Sequence, residues 1–250
     1  MNSKRIQFIG ILAAALLLGW ATRGLEQSAS EDFGQSSDTE KLEALTQARL
    51  SQGMSLALLG GYRPIVANMV WIAMDGAWMR RDFDTTLSHI KLATSIDPRH
   101  EFFWLNGARI IANDMPTWRY SYEEMDRLHT TIEGRMIKDE FAEEALELLE
   151  KGSSRLPENP LILAEMGVIE WRKKDNLQRA GDLFLKAWGM PDAPYYVGRI
   201  YAEVLERQGR REEALAFLRE MVIDLPENEL EAMVPVVRER IRRLERALGK

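Results

Sequence analysis

Residues 180–192 read AGDLFLKAWGMPD and residues 214–226 read ALAFLREMVIDLP. The two stretches begin 34 residues apart and share a layout: a small residue, a bulky one four positions on, a third fixed position three beyond that, then a break near a proline. Ala145 stands 35 positions ahead of Ala180, which continues the series. A period between about 20 and 50 residues marks a unit that cannot bury its apolar face alone and leans on copies of itself. The period constrains the fold more tightly than composition does.

The spacing of four and then three places the marked residues on one face of a helix. Small Ala180 admits a paired helix, Phe184 fills the gap one turn on, and Ala187 admits the next unit; Ala214, Leu218 and Met221 repeat this. Each such helix follows another. PYYVGRIYAEVLERQGR (194–210) meets REEALAFLREMVIDLP (211–226) at the turn residue Gly209, with Pro194 opening the pair and Pro226 closing it. NPLILAEMGVIEWRKKDN (159–176) and LQRAGDLFLKAWGM (177–190) form the pair before. From Glu40 onward there is almost no alternating β-branched run, so the expected class is all-α.

These residues resemble the tetratricopeptide repeat (TPR) family, whose second helix carries the same small, bulky, small series ahead of a proline. The resemblance covers units from about 142 to 228. Met166-Gly167 stands where the family has Leu-Gly, with one extra residue after it. It implies antiparallel helix pairs stacked in a right-handed α-solenoid, with first helices lining a concave side that takes peptides. Degenerate units fill 63–115: Ile90, Ala93 and Pro98 keep the pattern, but Thr86 replaces the usual alanine. Residues from about 116 to 135 read as an insertion or a lengthened helix. The segment 229–248, with Arg238, Arg240, Arg242, Arg243 and Arg246, reads as a helix capping the open end. Gly60-Gly61-Tyr62-Arg63 ahead of a tryptophan-bearing helix also resembles a group of bacterial membrane-anchored TPR proteins.

The N-terminus carries a different signal. Lys4 and Arg5 precede the uncharged run Ile6–Thr22, which as a helix rises about 25 Å against a hydrocarbon core of about 30 Å. Residues 1–23 are therefore either a signal anchor held in the membrane through 6–22, or a signal peptide cut near Gly19 and Ala21. Residues 24–39 form an acidic linker with Glu26, Glu31, Asp32 and Asp38, and no base stands between Arg23 and Lys41. That asymmetry keeps the N-terminus cytoplasmic and sends the repeat domain, 40–250, to the extracytoplasmic (periplasmic) side. Cleavage would leave the domain secreted or periplasmic.

Several functions lack the residues they need. A net charge of −6 and a pI near 5.3 give no pull toward phosphate backbones, so no nucleic acid partner is expected. The chain has no cysteine. His89, His100 and His129 sit in no metal or nucleophile motif, and the Gly60-Gly61 doublet lacks the rest of a phosphate loop. Glu143-Glu144 and Glu212-Glu213 stand where second helices start and the helix dipole favours acid. We expect no catalytic residue, metal or cofactor.

A partner-binding face is expected instead. The family mapping turns Asn68, Trp71, Asp75 and Trp78 toward the concave side, followed by Trp171 with Arg172, and by Tyr196, Arg199, Glu203 and Glu206. Aromatic and arginine side chains dominate interface energetics. The expectation is a non-enzymatic scaffold or adaptor, tethered to the membrane, that holds a segment of another protein. The alternative is a structural component of an envelope complex, a transporter or pilus-type apparatus, acting through its ends or as a homo-oligomer.

Overall fold

The computed structural model describes residues 61–250. The apolar run 6–22, the linker 24–39 and the first twenty-one residues of the expected repeat domain (40–60) lie outside the described residues. Ten α-helices and no strand occur among the described residues: α1 (Arg63–Met79), α2 (Phe83–Ile96), α3 (Glu101–Arg109), α4 (Met125–Thr130), α5 (Ile132–Arg155), α6 (Pro160–Arg172), α7 (Leu177–Trp188), α8 (Tyr195–Arg207), α9 (Arg211–Met221) and α10 (Val234–Leu248). None is long and apolar enough to cross a membrane. The class is all-α.

Helix ends follow local chemistry. The side chains of Asp82, Thr131, Asn159 and Asn176 accept the backbone N–H groups of Thr85, Gly134, Leu161 and Arg179, which caps α2, α5, α6 and α7. Pro98, Pro157, Pro191 and Pro226 lie in the breaks between pairs. Within the pairs, the turns share one requirement. Arg81, Asp175 and Gly209 each stand two residues before a second helix, with φ of 57°, 53° and 80°. This left-handed backbone costs a side-chain-bearing residue about 1–2 kcal/mol, and only the third turn places glycine there.

Helices pack on their neighbours in order: α1 on α2, α3 on α5, α5 on α6, α6 on α7, α7 on α8, α8 on α9, and α9 on α10. Ala145, Ala180 and Ala214 are fully buried on α5, α7 and α9, as are Phe184 and Leu218. What sets the inter-helix distance is a glycine on the facing first helix. A Cβ on Gly167 would lie 3.0 Å from the Phe184 ring, and one on Gly198 would lie 2.9 Å from the Met221 sulfur. Gly107 is tighter still, at 2.6 Å from Ile90 Cγ2 and 3.1 Å from Leu148 Cδ2. Helix α8 divides the interior. Val197 and Val204 join the large apolar cluster that runs back to Met74, whereas Ala202 and Leu205 join a second one with α9 and α10.

The stretch expected as an insertion has structure of its own. Beyond Arg109 the chain passes through a π-turn (Ile110–Asp114), 3-10 turns (Met115–Arg119, Tyr122–Glu124) and the short α4. Helix α5 starts ten residues ahead of Ala142 and runs for 24 residues. Aromatic contact holds this stretch: Trp118 meets Phe83 edge-on with ring centroids 5.8 Å apart, and Phe83 lies 4.9 Å from Phe141.

The terminal segment is shorter as a helix than its sequence suggests. A 3-10 turn at Leu230–Ala232 and a left-handed Met233, φ 50°, precede α10. Val234, Val237 and Leu244 bury its inner face. Its arginines are matched within the protein: Arg238 to Glu227, Arg240 and Arg243 to Glu206, and Arg242 and Arg246 to Glu239.

Two sets of substitutions test this account by chemical denaturation. Gly107→Ala gains helix propensity yet should destabilise by about 1–3 kcal/mol, because Ile90 and Leu148 cannot both give way. In the turns, Arg81→Gly and Asp175→Gly should each stabilise by up to about 1 kcal/mol, and Gly209→Ala should destabilise by about 1 kcal/mol. A stabilised Gly107→Ala protein would refute the slot argument.

Candidate functional site: the face of the first helices

Helices α1, α3, α6 and α8 come first in their pairs, and α1, α6 and α8 carry all ten residues expected to meet a partner. On α1, Asn68 is exposed and its Nδ2 donates to its own helix at Pro64 O, 2.7 Å. Trp71 is half-buried against Phe102 and Phe103 of α3, with centroids 5.3 and 5.4 Å away. Asp75 is exposed. Trp78 Nε1 donates to Asp114 Oδ2, 2.9 Å away, in the π-turn that follows α3. Both tryptophans of α1 thus reach across to the next pair.

Further along, Arg109 of α3 donates through Nε and Nη2 to Glu165 Oε2 of α6, at 2.9 and 2.6 Å. The Glu165 side chain is only 11% exposed, so the pair is worth more than a solvated one. Its carboxylate holds the Arg109 guanidinium above its ordinary pKa. Tyr196 of α8 lies beside this pair; burial raises its phenol, Glu165 adds to the rise and Arg109 opposes it. On the same edge as Asp114, burial and then Lys138 push the Lys173 amine down, while Asp114 works the other way.

Trp171 does not stand open. It is 7% exposed, with Arg172 4.1 Å above its ring and Arg207 of α8 at 5.0 Å. The slot glycines explain its placement. Counting from Gly167, Trp171 takes the position that Ala202 takes from Gly198, and Ala202 is fully buried. Arg172 keeps its outer face exposed.

The last three expected residues are engaged on or beyond their own helix. Arg199 Nη1 donates to the carbonyls of Glu231 and Ala232, at 2.9 and 3.2 Å, and burial lowers its guanidinium. Glu203 accepts from Arg207 one turn on, at 2.9 Å. Glu206 takes Arg240 on one oxygen and Arg243 on the other. The structure therefore links the expected residues in short bridges, most of them from helix to helix.

Besides the exposed Asn68, Asp75 and Arg172, α1 presents apolar side chains that the expected residues did not include. Ile65, Met69, Ile72 and Met79 of α1 are 56%, 55%, 72% and 73% exposed. They follow one another at intervals of 4, 3 and 7, which makes a single stripe along the helix. The sequence signal was the apolar character of α1 on every side. Arg109 and Glu165 were also missed; Glu165 stands two residues before Gly167, as Tyr196 does before Gly198.

Neither a family model nor a curated protein matches this chain. Among solved structures it is similar to a thermophilic TPR protein of Thermus thermophilus, with a TM-score of 0.36 and 15% sequence identity, over 71% of this chain and 98% of that one.

A double-mutant cycle on Arg109 and Glu165 measures how firmly the face is tied. Arg109→Met alone should cost about 1.5–3 kcal/mol, since it strands a mostly buried carboxylate. Adding Glu165→Leu should recover most of that. Additive losses would mean that the two side chains act independently.

Proposed function

We propose that the chain is a non-enzymatic adaptor whose first helices hold a segment of a partner protein. In this reading its helix pairs form a right-handed superhelix, residues 6–22 tether it to a membrane, and residues 61–250 stand on the extracytoplasmic side. The observation that carries the reading is the stripe of Ile65, Met69, Ile72 and Met79 along α1. A contiguous run of large apolar side chains in water marks an interaction site, and heptad-like intervals suit an apolar helix or extended segment laid along α1. The half-buried Trp71 and the bonded Trp78 fix the neighbouring wall, so little side-chain entropy is lost on binding. The acidic linker and the charge asymmetry around the apolar run support the tether and its orientation.

The alternative, assembly into an envelope complex through self-association, uses the same stripe with a second copy as its occupant. Affinity capture from detergent-solubilised membranes with the full chain, compared with a Met69→Glu/Ile72→Glu variant, distinguishes them. The adaptor reading expects a partner recovered by the wild type and lost by the variant, with melting temperature unchanged and both proteins monomeric in sedimentation. Equal recovery by both would remove the α1 face as the site. A concentration-dependent oligomer that the variant abolishes would favour self-association.

A further inference from the structure

A second recess lies between α2 and α5, the second helices of neighbouring pairs, with Arg63 of α1 and Trp104 of α3 also in its lining. It encloses about 790 Å³ over a floor that includes Pro98, Trp104 and Leu148. The floor is rigid. Trp104 donates its Nε1–H to Pro98 O at 3.0 Å, and its ring fits against α5 because position 152 is glycine; a Cβ there would lie 3.0 Å from the indole.

The rim carries Arg63, Lys91, Lys151 and Arg155, and no acid among the described residues lines the recess. Among the described residues only Lys91 of these four has a carboxylate within ion-pair distance, Glu144 at 2.6 Å. Helix α10 differs in this respect. The chain carries a net −6, and all five arginines of α10 are matched to glutamates. A concave wall of one sign above a low-dielectric floor concentrates the field and attracts the opposite charge.

We propose that this recess binds an acidic, extended peptide segment of a partner protein, separately from the α1 stripe. Lys91 stands on one wall, Lys151 and Arg155 on the other, and Arg63 comes from the start of α1. With Lys91 held by Glu144, the three remaining bases, Lys151 and Arg155 on α5 and Arg63 on α1, ask for carboxylates along a line. The apolar floor between them suits side chains that alternate with those carboxylates in an extended strand. A flat lipid surface would meet only the rim and leave the floor uncovered.

Fluorescence anisotropy with the full chain in neutral detergent micelles tests this, using as probe a fluorescein-labelled octapeptide of alternating Glu and Leu. Binding is expected to weaken roughly tenfold or more in Lys151→Glu/Arg155→Glu, and to change little in Arg238→Glu/Arg242→Glu, which shifts net charge equally on α10. The milder Lys151→Gln/Arg155→Gln pair should fall between them. Thermal melts of each variant separate loss of binding from loss of fold. Added salt should weaken the complex, and the Gln/Leu peptide should not bind. No binding by the wild type, or equal weakening in both charge-reversal variants, would overturn the proposal. So would displacement of the peptide by phosphatidylglycerol vesicles but not by phosphatidylcholine vesicles, which would assign the rim to a lipid surface.

Discussion

Each first helix after α1 has one position where the backbone itself is the contact surface. Gly107, Gly167 and Gly198 leave room for Leu148, Phe184 and Met221 of their partner helices, and the spacing of the array follows from those three contacts. Dispersion falls steeply with distance, so a gap or an overlap of a few tenths of an ångström is felt by every atom lining the slot. The buried alanines act on the opposite side, keeping second helices thin where bulky side chains arrive. Bulk and its absence are distributed between the two helices of a pair, and neither helix has a stable surface alone.

On that spacing rests a series of polar and aromatic links between first helices. Trp71 and Trp78 tie α1 to the next pair, Arg109 and Glu165 tie α3 to α6, Arg207 over Trp171 ties α6 to α8, and Glu206 ties α8 to α10. These groups fix how successive first helices are presented. The same links consume many of the side chains that would otherwise meet a partner, which shifts the free surface toward the apolar stripe of α1 and the basic recess between α2 and α5.

The period, the helical class and the buried small residues could be read from sequence because each is a local pattern of apolar spacing. Trp171 could not be placed by spacing alone, since its neighbourhood carries one residue more than the repeat allows. The slot glycine gives the true register, but its meaning depends on Phe184 seventeen positions away in the partner helix. Arg109 and Glu165 are 56 residues apart on separate pairs, and nothing near either one marks the other. Arg81 and Asp175 conceal a turn that glycine would have advertised, as it does at Gly209. Glu170 lies fully buried with Arg179 Nε 3.1 Å from one oxygen, in a stretch that reads as the polar end of a helix.

The turn inside each regular pair is brief, with only Arg80–Asp82 between α1 and α2 and Gln208–Arg210 between α8 and α9. Partner helices are thus near one another along the chain before they are near one another in space, and closing each hairpin costs little loop entropy. A topology of this kind has low contact order, which places it among the rapid folders. As the polypeptide leaves the ribosome, one hairpin can close while the following one is still being synthesised, and each finished pair offers a formed surface to its successor.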